Sequence, residues 1–236
     1  VEGWQVDGEA LREARLPESI RQVVGRRLEQ LSDETQWVLR WAAVVGAVFW
    51  EEAAAEVGRV TQARVREGLR EGLEQELVST RDESAFEGKQ EYLFNNPTVR
   101  EVAYESISAE ERQVYHRRAA GWLMSRSDEE IEEHVGSIAD HLDRAGEVEQ
   151  ALVYLRRAGE QAAAQFANAE AVDYFSRALN LTPEDALTAR YDLLLAREEV
   201  YHLQGAREAQ LRDLMTLQNL AQKLDEAHRA EAALRR

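Results

Sequence analysis

Tyr92–Leu123 reads YLFNNPTVREVAYESISAEERQVYHRRAAGWL. The pattern of the chain changes within it. Tyr92-Leu93-Phe94 ends an extended run. Asn95-Asn96-Pro97 then breaks that run and opens a helix, because proline at a first helical turn costs no hydrogen bond. Val99, Val102, Ala103 and Ile107 form its inward row. Ser108-Ala109-Glu110-Glu111 has the spacing of a capping box and starts a second helix, with Val114, Tyr115, Ala119, Trp122 and Leu123 on one side. The residues before this stretch read as a small mixed domain. Those after it read as helix upon helix.

Upstream, residues 1–16 show no sustained period and read as a strand or extended tail of an excised fragment. Pro17 opens a helix with Ile20, Val23, Val24, Leu28 and Leu31 at helical spacing. Ser32 is an N-cap for a helix over 33–45, which is apolar nearly all round and so belongs at the centre of the domain. Gly46 closes it, and a short helix over 51–57 comes next. Thr61 caps another, with Val65, Leu69, Leu73 and Leu77 four apart. The period then shortens to that of strands at 77–80 and 91–94, around a polar loop 81–90 with Gly88. Three helices followed by a β-hairpin is the pattern of a winged-helix domain.

Downstream, Ser127-Asp128-Glu129-Glu130 is a second capping box, opening one helix that carries Ile131, Val135, Ile138 and Leu142 and stops at Gly146. Beyond it lies an internal repeat: Ala151–Ala158 (ALVYLRRA) aligns with Ala171–Ala178 (AVDYFSRA), twenty residues on. Pro183 is expected to open the next helix and Gly205 to break it. Leu211, Leu214, Leu217, Leu220 and Leu224 stripe another, and 226–236 is expected to begin one more and to be cut short. Gly159, Ala171, Phe175, Ala178 and Pro183 fall at the small, small, aromatic, small and proline offsets of a tetratricopeptide repeat, although Leu155 and Ala162 stand where Trp and Tyr are usual.

Composition narrows the function. A formal charge of −16 over 236 residues opposes phosphate backbones and anionic bilayers. The segment Thr61–Glu76 mixes Arg64, Arg66 and Arg70 with Glu67, Glu71, Glu74 and Glu76, so acid cancels base where a winged helix would meet DNA. The longest apolar run, Trp41–Trp50, is half of the roughly 20 residues a spanning helix needs. No signal peptide opens the chain, and the absence of cysteine excludes disulfides and thiolate metal sites; together these fit the cytoplasm.

Two sets of residues resemble a known family. LPESIRQVVGRRLEQLS (16–32) with VLRWAAVVGAVF (38–49), and YLFNNPTVREVAYESI (92–107) with ERQVYHRRAAGW (111–122), look like the region that follows the ATPase core in bacterial signal-transducing ATPases of the STAND class, the kind joined to adenylate-cyclase or LuxR-type outputs. The resemblance spans about residues 16–224. It implies a mainly α chain: a tail over 1–16, a winged helix over 17–107, and a tetratricopeptide-like α-solenoid over 108–236. It also implies a non-catalytic regulatory and sensor role, in which a protein or peptide on the repeats is coupled to the chain's own upstream NTPase core. There is no GxxxxGK[ST] loop, so the family's ATP hydrolysis is not expected of this segment, and no cofactor is expected in it. Two other readings remain: a constitutive scaffold for a protein or peptide, and a DNA-binding regulator.

Candidate site residues are few. The family carries Phe-x-His where this chain has Phe94-Asn95-Asn96, which makes Asn96 the candidate nucleotide contact; its plainer reading is an N-cap in front of Pro97. His134 and His141 are two turns apart on one face, too far for one ion, and read as structural or surface residues. His116 reads as packing or hydrogen bonding. The acidic run at 128–133 lacks EF-hand spacing and suits a helix start. No metal site and no catalytic set can be placed.

Overall fold

The structure, a computed structural model, describes residues 18–234. The expected tail 1–16 and Pro17 lie outside the described residues. Contacts divide the chain into two compact units, Val1–Tyr115 and His116–Arg236. The division falls inside one helix, eight residues beyond the expected boundary after Ile107. The described chain is mainly helical, with twelve helices and a three-stranded antiparallel sheet.

In the first unit α1 (Glu18–Glu29) is followed by α2 (Asp33–Val45), β1 (Val48–Trp50), α3 (Glu51–Gly58), α4 (Gln62–Glu74), β2 (Val78–Thr80), β3 (Glu91–Phe94) and α5 (Pro97–Glu105). α2 is the hub, packed by α3, α4 and α5. Val38, Leu39, Ala42, Ala43 and Val44 are buried, while Trp37 stays half exposed under the Arg40 guanidinium. The α2–α4 crossing is close because position 68 is glycine: a Cβ there would lie 2.6 Å from Val38 Cγ2. Ser32 and Thr61 cap α2 and α4 through the backbone N–H of Thr35 and Arg64.

The expected two-stranded hairpin is a three-stranded sheet in the order β1-β3-β2. Val48 pairs with Leu93, and Val78 with Phe94. β1 continues the apolar run of α2, so no change of period marks it; pairing alone makes it a strand. Phe49, fully buried, stacks on Tyr92 at 5.5 Å and touches Phe94 at 5.3 Å. The loop 81–90 is pinned down. Buried Glu91 accepts from Arg81 at 2.7 Å and from the Ala85 N–H at 2.9 Å, Phe86 packs edge-on against Trp50, and Lys89 pairs with Glu52.

α6 (Ala109–Met124) carries the division between units, and its Ser108–Glu111 capping box forms. The second unit contains α7 (Asp128–Glu133), α8 (Val135–Ala145), α9 (Val148–Ala164), α10 (Asn168–Leu181), α11 (Leu187–Gln204) and α12 (Arg207–Leu234). The single helix expected over 128–145 is two, because His134 at φ −113° and ψ 14° leaves the helical region. Pro183 does not open α11; it sits in an exposed turn four residues ahead of Leu187. No new helix starts at 226, since α12 runs on to Leu234. Gly146 and Gly205, at φ 73° and 70°, end α8 and α11 in the left-handed conformation that glycine adopts without a Cβ clash. From α8 onward each helix packs on the next, and α9 also touches α11.

Candidate functional site

Short turns make α10 antiparallel to both α9 and α11, so α9 and α11 run the same way. A groove of about 310 Å³ lies along them. Glu160, Ala163 and Ala164 come from α9; Ala196, Glu199, Val200 and Leu203 come from α11; Phe175 of α10 is the floor. Spacings of three, four and seven place each set on one helical face. Three alanines on the walls leave the space open. The floor is fixed because Phe175 is fully buried against Gly159, where a Cβ would stand 2.6 Å from its ring.

The groove has an acidic mouth. Glu160 pairs with Arg156 at 2.8 Å, and that contact, with Asp192 nearby, raises the guanidinium above its ordinary pKa. Glu199 is exposed and forms no ion pair with any described residue. Ion pairs hold the supporting helices. Arg197 of α11 makes a two-pronged bond to Asp213 of α12 at 2.7 and 2.8 Å and donates to Ser176 of α10. Arg177 joins α10 to Asp140 and Asp143 of α8. Burial works against the Arg177 charge, but the two aspartates outweigh it and hold its pKa above the usual value.

Gly159, Ala171, Phe175 and Ala178 are all buried on α9 and α10, where the Phe175 ring packs on Gly159; Pro183 stands exposed in its turn. Asn96 is exposed, and its Oδ1 accepts from the Thr98 N–H at 2.9 Å as the N-cap of α5. The neighbouring Asn95 accepts from Ser79 Oγ and donates to the Glu76 carbonyl, tying the start of α5 to β2.

The histidines are arranged differently from what their spacing suggests. His134 faces the Glu130 carbonyl at 3.0 Å. His141 turns to His116 instead: both rings are buried, and their Nδ1 atoms lie 2.8 Å apart. Such a contact needs one Nδ1–H donor and one bare Nδ1 acceptor. The sequence offered no signal for it, because the two lie 25 positions apart, on α6 and α8 with α7 between. No cluster of three or more His, Asp or Glu able to hold a metal occurs among the described residues.

Two further features lie in the first unit. On α4, Arg64 pairs with Glu34, Arg66 with Glu51 and Arg70 with Glu67. A smaller cavity, about 130 Å³, is lined by Gly25, Leu28, Leu39, Val102 and Ala103, with Arg40 donating to Ser106 beside it. No described helix is long and apolar enough to cross a membrane.

Comparison with known proteins is sparse. No family model matches the chain, and no solved structure matches it. Over 94 residues, 40% of the chain, it is 30% identical to an uncharacterized protein of Rhizobium meliloti (strain 1021); the match covers 9% of that protein's length.

Proposed function

We propose that this chain is a non-catalytic regulatory region of a STAND-type signalling ATPase in the bacterial cytoplasm: a winged helix followed by tetratricopeptide-like repeats, with the repeats docking a protein or peptide. The observation that carries the reading is the groove along α9 and α11, an open apolar channel with a rigid floor on an array of sequentially packed helices. The order α2-β1-α3-α4-β2-β3, with its pinned loop 81–90, supports the winged-helix half. The ion-paired arginines of α4 support a mechanical role over a DNA-binding one, since each charge already has a carboxylate. Asn96, engaged in capping α5, supports coupling through the fold over nucleotide contact at that position.

The mechanism is a two-state one. The winged helix rests against an NTPase core in the inactive state. A partner on the repeats shifts the balance only by its different affinity for the two states. The test is the ATPase rate of the full-length protein with and without residues 127–236. A change in rate, or in its response to partner, is expected. An unchanged rate sinks the sensor role and leaves a constitutive scaffold.

A further inference from the structure

We infer that the groove along α9 and α11 takes a basic segment of a partner protein, one that sets an aliphatic side chain between lysines or arginines. This rests on the docking role proposed for the helical array, and it names the chemistry of what docks.

The charges around the groove set the sign of the partner. Its lining carries two carboxylates, Glu160 and Glu199, and no lysine or arginine. Glu160 shares its charge with Arg156, while Glu199 faces solvent with no ion pair to a described residue. An acidic peptide or a phosphate would meet net repulsion here, whereas a cationic segment gains at two or more points. The interior sets the anchor. Phe175, Val200 and Leu203 offer no hydrogen bond from their side chains, and the alanine walls leave width for a branched aliphatic group.

A third observation lies just past the end of α9. Phe166 stands two positions beyond the wall residue Ala164 and is 80% exposed, with φ at +59°. A bulky residue in the left-handed region is strained, and here no burial of the ring compensates. Leu203, 60% exposed, stands at the corresponding end of the parallel helix α11. Both apolar groups are thus exposed at the C-terminal ends of the helices that wall the groove, and the face of the Phe166 ring is open to a lysine or arginine of the bound segment.

The test uses the 236-residue chain and fluorescein-labelled peptides in an anisotropy titration. Lys-Lys-Leu-Leu-Lys-Lys is the probe; Glu-Glu-Leu-Leu-Glu-Glu and Lys-Lys-Ser-Ser-Lys-Lys are its controls. The probe is expected to bind about tenfold or more tighter than either control. Ala196→Phe, which fills the groove, should weaken the probe about tenfold. Glu199→Lys should weaken it about fivefold at low salt and less at high salt. Phe166→Gly should cost about threefold. Because Ala196→Phe risks misfolding, helicity is checked by circular dichroism, and the exposed Glu199→Lys stands as the second arm. Equal binding of the serine peptide would mean general attraction to an acidic chain and would overturn the inference. So would equal binding of the acidic peptide, or an unchanged affinity in Glu199→Lys. A concentration-dependent dimer in light scattering, abolished by Ala196→Phe, would make a second copy the occupant and overturn it too. Failure of the peptide to bind while deletion of 127–236 still alters ATPase rate sinks this inference and leaves the regulatory reading standing.

Discussion

The two units bury their apolar surface in different ways. The first closes on itself. Phe49 of β1 meets Tyr92 and Phe94 of β3, more than forty residues away, while α2 collects α3, α4 and α5 around it. The second unit is built by succession, each helix from α8 onward lying against the next. Its interior alternates small residues with single large ones, as at Ala151, Leu155, Ala158 and Phe175, and ion pairs tie its helices together, as in Arg197–Asp213 between α11 and α12 and Arg177 with Asp140 and Asp143 between α10 and α8. A closed core places many residues in each other's keeping. A succession leaves faces between neighbours open, and the groove is one of them.

The largest effects should separate these two modes. Phe49→Ala and Phe175→Ala each remove a fully buried ring and should each cost about 3–5 kcal/mol. Hydrogen exchange should show loss of protection throughout the first unit for Phe49→Ala. For Phe175→Ala the loss should centre on α9–α11 and spare the far half of α12. Uniform loss in both would erase the distinction. Next comes Asp213→Ala, which strands a mostly buried guanidinium and should cost about 2–3 kcal/mol in urea denaturation. The double variant Arg197→Met/Asp213→Leu should recover most of that loss, because the stranded charge is gone.

Smaller effects test the local devices. Thr61→Ala removes the cap of α4 and should cost about 1 kcal/mol, read as faster exchange in the first turn of that helix. Phe166→Gly should raise stability by about 1 kcal/mol by relieving a positive φ, while weakening the basic probe; a stability loss instead would mean that the ring packs usefully. The smallest effect is one of pH. Hydrogen bonds from Ser32 and Thr35 hold the Glu71 carboxyl below its usual pKa. A folded pKa below the unfolded one gives stability that is present above the unfolded value and lost as pH falls through the folded value. Wild type and Glu71→Gln should therefore differ in melting temperature at neutral pH and converge as pH drops below the carboxylate range.

Much of the architecture was legible residue by residue. Ser32, Thr61, Asn96, Ser108 and Ser127 announced helix starts because capping is a contact between a side chain and a backbone group two or three residues on. Gly146 and Gly205 announced stops for the same local reason. The failures lie where a distant partner or a subtle backbone choice decided. β1 is a strand through β3 alone. The break at His134 and the turn after Pro183 left no sign in the apolar spacing. The groove was only half visible: the sequence marked Gly159, Ala171, Phe175 and Ala178 as an α9–α10 core, but Ala196, Glu199 and Leu203 read as an ordinary helix face until α11 was seen beside α9.

The sequence by itself determined the helical character, the acidic balance and the caps. These depend on period, composition and contacts a few residues long. Tertiary structure alone decided the third strand, the facing Nδ1 atoms of His116 and His141, and the opening between α9 and α11. Each of these is set by how far apart two elements come to rest, and that distance depends on the packing of every side chain between them.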